Sequence, residues 1–121
     1  MAYEEKVQTI SLEANGDQSA NQYKFMLLGA TGIALNTVAG GPCIGVLQNK
    51  PEAGQIGAVA VAGVAMVEAG GVITRGVGVQ SNASGVAIAA STGDYNLGTA
   101  LATAASGDII PVLLTPNAQN N

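Results

Sequence analysis

The chain has no histidine, no tryptophan, one cysteine and one phenylalanine among its 121 residues. Without an imidazole there can be no Ser-His-Asp or Cys-His nucleophile system and no histidine-ligated zinc, copper or non-haem iron. A single thiol, Cys43, excludes an intrachain disulfide and a cysteine-rich metal site and is expected as a small buried hydrophobe. Charge is scarce too: 10% of residues are charged, against about 25% in an ordinary soluble domain. Four basic residues against eight acidic ones leave a net charge of -4. That is the wrong sign for gripping a phosphate backbone, and no basic cluster offsets it. Nucleic acid is not an expected partner, and no cofactor or metal is expected.

What remains is 48% hydrophobic but only 3% aromatic, with 17 glycines and alanine and valine supplying most of the apolar share. The length is that of one domain. The uncharged run between Lys24 and Lys50 is long enough to suggest a membrane span. Asn36, Thr37, Pro42 and five glycines interrupt it, however, and no aromatic belt marks its ends. The opening MAYEEKVQTI is acidic and lacks an apolar core, so no signal peptide is read there. The expectation is a soluble protein made in a reducing cytosol, with Asn82-Ala83-Ser84 a turn rather than a glycosylation site.

Polarity divides the chain into three expected segments. Residues 1–22 read as an extended N-terminal arm followed by a flexible turn, Asn15-Gly16-Asp17-Gln18-Ser19-Ala20-Asn21-Gln22. Four of the eight acids and two of the four bases lie within the first 24 residues. In the arm, Val7–Leu12 has β-branched content but a blurred alternation, which suits a strand only when something pairs with it. Residues 23–114 read as a β domain, because large residues recur every second position and glycine punctuates the runs. Residues 115–121 are polar apart from Pro116 and Ala118 and are expected to fray as a flexible C-terminal tail. Ala58–Ala69 and Thr99–Ala105 have helical propensity, but glycines at 63, 70 and 71 would each cost about 1 kcal/mol in a helix. The fold class is therefore all-β: a small compact barrel- or sandwich-like domain of about eight short strands, with one short helical turn near Asn36–Gly40. Pro111 inside the last strand cannot donate to a ladder, so that strand is expected at an edge or bulged.

No motif completes a chemistry. Gly29-Ala30-Thr31-Gly32 and Gly76-Val77-Gly78 are fragments of phosphate loops that no Gly-Lys-Ser/Thr follows. Asp94 and Asp108 each follow a glycine before a strand, which is turn chemistry. Reading them as a catalytic carboxylate pair lacks a base, a metal ligand or an arginine clamp. Glu52 and Glu68 read as solvated. Val64-Ala65-Met66-Val67-Glu68 has the look of a biotinyl or lipoyl carrier hairpin, but the lysine such a hairpin needs is absent and the nearest is Lys50.

The ordered set Ile44–Pro51, Val59–Val64, Glu68–Ile73, Ser81–Gly85, Gly93–Gly98 and Ala104–Leu114 resembles the capsid cement (head decoration) proteins of tailed bacteriophages. Arg75-Gly76-Val77 departs from it, since the family more often shows Gly-Asp at that turn. The resemblance implies a non-enzymatic structural protein with no catalytic residues. It would sit on the outer surface of the phage head and clamp neighbouring major-capsid subunits, often as a homotrimer. It also implies an N-terminal arm laid on the shell, for which Tyr3, Val7, Ile10 and Leu12 are the candidate anchors. Expected partners are the major capsid protein and further copies of the chain, and the expected location is the virion after synthesis in the bacterial host cytoplasm. The alternative is another phage structural or adhesive β module, such as a tail or fibre piece or a glycan-binding domain.

Overall fold

Alanine and valine alternate on both sides of Gly63, placing small and branched residues on opposite faces of an extended chain. In the computed structural model, which describes residues 7–119, this run is the thirteen-residue strand β5 (Ile56–Glu68). Before it come β1 (Val7–Glu13), β2 (Phe25–Leu28), β3 (Ile33–Leu35) and β4 (Gly45–Leu47). After it come β6 (Gly78–Ser81), β7 (Ala87–Ala89), β8 (Tyr95–Ala100) and β9 (Ile109–Gln119). The nine strands form one curled antiparallel half-barrel in the order β3-β2-β4-β5-β9-β8-β6-β7, with β1 also paired to β5. The all-β class stands. No described residue is helical, and Asn36–Gly40 is a bend and turn where a helical turn was expected.

β5 is the spine of the sheet. Its first half carries β1 from Val7↔Gly63 to Glu13↔Ile56 and meets β4 at Ala60 and Val59. Its second half carries β9 from Gly63↔Leu114 to Glu68↔Ile109. The changeover is at Gly63, whose φ of 86° would cost a side-chain-bearing residue roughly 1–2 kcal/mol. Val61 has no partner on β1, because Gln8 opposes Ala62 and Thr9 opposes Ala60. A bulge of this kind bends a strand and tightens its twist, so one strand serves two parts of the curl.

Two apolar clusters fill the curl, and the β2–β4–β5 wall separates them. Phe25, Val46 and Ala60 face one cluster together with Val67, Ile73, Val79, Leu97 and Val112. Their chain neighbours Met26, Leu47 and Val59 face the other, with Ile33 and Ala14. Strands buried on both faces need apolar residues at consecutive positions, which is why Phe25-Met26 and Val46-Leu47 do not alternate cleanly.

The structure refines several expectations. Residues 7–13 are extended as expected of the arm, and the strand that pairs with them is β5 of the same chain. Past Thr115, where the β domain was expected to end, β9 continues to Gln119 and pairs it with Tyr95 of β8. Tyr23 precedes β2 in the left-handed region at φ 69°, held by its N–H to Leu47 and by its carbonyl accepting from Glu68. Pro111 lies in an interior strand, between β5 and β8. Its carbonyl accepts from the Leu101 N–H, and a strand residue turns both backbone groups to one edge. The missing N–H therefore falls opposite Leu101, just past the end of β8, and no ladder bond to β5 is lost.

Glycine within strands marks close backbone approach. A Cβ on Gly45 would run into the Ala60 carbonyl across the β4–β5 pair, whereas Gly54 in its exposed turn has open space but a φ of 79°. Gly45→Ala is expected to destabilise by at least about 2 kcal/mol, and Gly54→Ala by only about 1 kcal/mol. Urea unfolding of the two variants measures the difference.

Candidate docking surface

The acidic residues do not converge among the described residues. Asp108 Oδ2 accepts the Ala105 N–H at 2.9 Å, and Asp17 Oδ1 accepts the Ser19 N–H at 3.0 Å. That bond holds the Asp17 carboxyl below the usual carboxylate range. Asn82 Oδ1 accepts the N–H groups of Ser84 and Val86, closing the turn expected there. Among the described residues no cluster of three potential metal ligands forms, and no helix is long and apolar enough to cross a membrane. Among the described aromatics Phe25 is buried, and Tyr23 and Tyr95 are half-buried.

The buried polar groups are structural. Asn36, 1% exposed, donates from Nδ2 to the Val38 carbonyl at 2.9 Å and to Ser81 Oγ at 2.8 Å, tying the β3 end to β6. Cys43 lies beside this cluster, and burial pushes its thiol up to about 12. It is a small core residue, as its solitary occurrence suggested. An open apolar groove of about 390 Å³ runs past it, lined by Leu27, Leu28, Val38, Pro42 and Ile44.

Two surfaces have unusual form. The first is β1. Ser11 is paired with Ala58, whose carbonyl is already taken by the Gln48 N–H from the other side. Ser11 and, by alternation, Thr9 therefore turn their N–H and C=O away from β5. Among the described residues β1 has no second ladder, and Gln8, Thr9, Ile10 and Ser11 are all exposed. Such an edge is a ready template for another chain. Of the candidate anchors, Ile10 is 39% exposed on this strand, and Leu12 is half-buried against the chain's own second core cluster. Val7 contributes a backbone position, and Tyr3 lies outside the described residues.

The second surface is an apolar outer face of the sheet. On the face of β5–β9–β8 turned away from the core, the register sets Val64 beside Leu113, Met66 beside Pro111 and Glu68 beside Ile109, with Thr99 flanking Leu113. Leu101, Ile109 and Leu113 are 37%, 40% and 43% exposed. Their alternation with buried Ile110 and Val112 was present in the sequence, but which apolar residues face outward depends on the register with β5.

The described residues form an all-β half-barrel with a bare strand edge and an apolar outer face. Residues 4–114 match the family model described as phage cement protein, so the chain belongs to the phage cement protein family and is a structural component of the phage capsid. A search of curated proteins returned no match. The chain is also similar in fold to the crystal structure of the N base of head fiber gp8.5 in bacteriophage phi29, with a TM-score of 0.69 at 16% identity. That match covers 96% of this chain and 100% of the other.

Cys43 is expected to resist thiol reagents at neutral pH in the folded protein and to react once the chain unfolds. Its unfolded thiol titrates near 9.0 and its folded one near 12. The stability linked to it is therefore complete below pH 9 and is lost as pH rises through the folded value, by about 1.4 kcal/mol per pH unit in that window. Comparing pH-dependent unfolding of Cys43→Val and the parent chain isolates this slope.

Proposed function

We propose that the protein docks on the outer surface of the phage head through the outward edge of β1 and clamps neighbouring major-capsid subunits against internal pressure. The observation that carries this reading is the set of outward backbone groups at Thr9 and Ser11 on a strand exposed on both faces. Strand addition to such an edge takes affinity from main-chain bonds and specificity from alternate side chains. In this reading Ile10 and the backbone at Val7 are the contact points, Tyr3 extends the contact on the N-terminal side, and Leu12 holds the strand to its own core so that the edge is presented rigidly. The chain would be made in the host cytoplasm and assembled onto completed shells.

The apolar face of β5–β9–β8 is assigned to self-association as a homotrimer. It carries one carboxylate, Glu68, at its rim, and charge-poor contacts suit permanent interfaces. The likeness to a head-fiber base supports a second reading in which the module anchors an adhesive element to the head. The loops at Asn82–Gly85 and Gly93–Asn96 would then contact a host or environmental surface. Binding of isolated heads favours cement function, and binding of glycans or cells without heads favours the second reading.

Two substitutions separate the surfaces. Ser11→Pro removes an N–H that points away from β5, so circular dichroism should be unchanged while co-sedimentation with heads falls by at least tenfold. Retained binding overturns the β1-edge model. Leu113→Lys is expected to shift sedimentation from trimer to monomer without unfolding the chain, and an unchanged sedimentation coefficient overturns the assigned face.

A further inference from the structure

Asn15 is the one asparagine in the sequence followed by glycine, and it lies immediately beyond β1 in a turn that the capsid reading does not use. Three features of this turn concern the reactivity of its amide. Asn15 Oδ1 accepts a hydrogen bond from Thr31 Oγ1 at 2.8 Å, across from the β2–β3 hairpin. The Asn15 N–H is fixed to the Ile33 carbonyl at 2.9 Å. Gly16, at φ 93°, has nothing within 4 Å of where a Cβ would stand, and its N–H donates to none of the described backbone or side-chain acceptors. The carbonyl is thus polarised and held, and the adjoining backbone nitrogen is uncovered.

We infer that Asn15-Gly16 is a self-modification site whose Asn15 amide converts to a carboxylate in the folded protein, with Thr31 assisting. The Gly16 nitrogen, after losing its proton to solvent, forms a bond to Asn15 Cγ. The electron pair of the C=O moves onto Oδ1, where the Thr31 hydroxyl bonds the new negative charge more strongly than the neutral carbonyl. Collapse breaks the Cγ–Nδ2 bond, and the nitrogen leaves as ammonia after taking a proton from water. One water then opens the resulting five-membered imide at either carbonyl, yielding aspartate or isoaspartate. The overall change is amide plus water to carboxylate plus ammonium.

Other asparagines are held differently. Asn36 is buried with its amide donating to Val38 and Ser81. Asn49 bonds the Ile56 carbonyl and the Ala58 N–H. Asn82 Oδ1 is engaged by two backbone N–H groups, and Asn96 Oδ1 by that of Gly98. In each case the following residue carries a side chain that crowds its nitrogen. Conversion at Asn15 takes the net charge from -4 to one unit more negative. The isoaspartate product also inserts a methylene into the main chain next to Ala14, which is 2% exposed in the second core cluster. The site therefore adds charge with age at the end of β1, independently of what β1 binds.

The test is incubation of the folded full chain in mildly alkaline heavy-oxygen water, followed by peptide mass spectrometry. Asn15 should convert faster than any other asparagine, incorporate one solvent oxygen and give both aspartate and isoaspartate peptides. Thr31→Val should slow the folded-state reaction about fivefold, the equivalent of one ordinary hydrogen bond. Thr31→Ser should keep the parent rate, and in denaturant all three chains should react alike. No conversion at Asn15, or equal folded-state rates for Thr31→Val and the parent, overturns the inference. Circular dichroism of each variant confirms that folded states are being compared.

Discussion

The whole structure depends on one strand being able to serve two partners. β5 must pair β1 over its first half and β9 over its second, and it can do so because Gly63 adopts φ 86° beside the unpaired Val61. The bend makes one continuous sheet into a half-barrel, puts core on both faces of the β2–β4–β5 wall, and leaves β1 hanging from the spine by a single edge. A straight β5 would have supported a flat sheet with one buried face. The bare edge of β1 and the apolar outer face of β5–β9–β8 both follow from that bend.

The polar side chains described are used to hold this architecture together. Asp17 and Asp108 close turns by accepting nearby backbone N–H groups. Its buried polar residues tie strands together, as Asn36 and Ser81 do. Its cysteine is a core filler whose thiol is pushed up by burial. What the described surface offers is the backbone edge of β1 and the apolar area of β5–β9–β8.

Much of this was legible in the residues themselves. The two-residue period and the glycine punctuation identified an all-β chain despite the helical propensity of alanine, and the turns at Asn82–Gly85 and around Asp108 formed where their side chains could bond local backbone. The misreadings share one physical origin, which is that strand pairing is non-local. Val7–Leu12 has a blurred alternation because the strand is exposed on both faces over most of its length, and nothing near it in sequence discloses that Gly63, 56 residues on from Val7, is its partner. Thr115–Gln119 has no large side chains to bury, yet its backbone extends the ladder with β8. Pro111 read as an edge marker because the sequence cannot show that its nitrogen falls opposite Leu101, beyond the end of β8. The apolar outer face was hidden for the same reason, since register decides which of Ile109 to Leu113 turns outward.

The central claim is that β1 is a bound strand presenting one free edge, which the capsid completes. Amide hydrogen exchange across Val7–Glu13, in the free protein and on saturated heads, tests it most directly. The account predicts that in the free protein the Ile10 and Leu12 amides are protected by β5 while those of Thr9 and Ser11 exchange freely, and that Thr9 and Ser11 become protected on the head. Free exchange of all four amides before binding, or no new protection at Thr9 and Ser11 after it, would contradict the account.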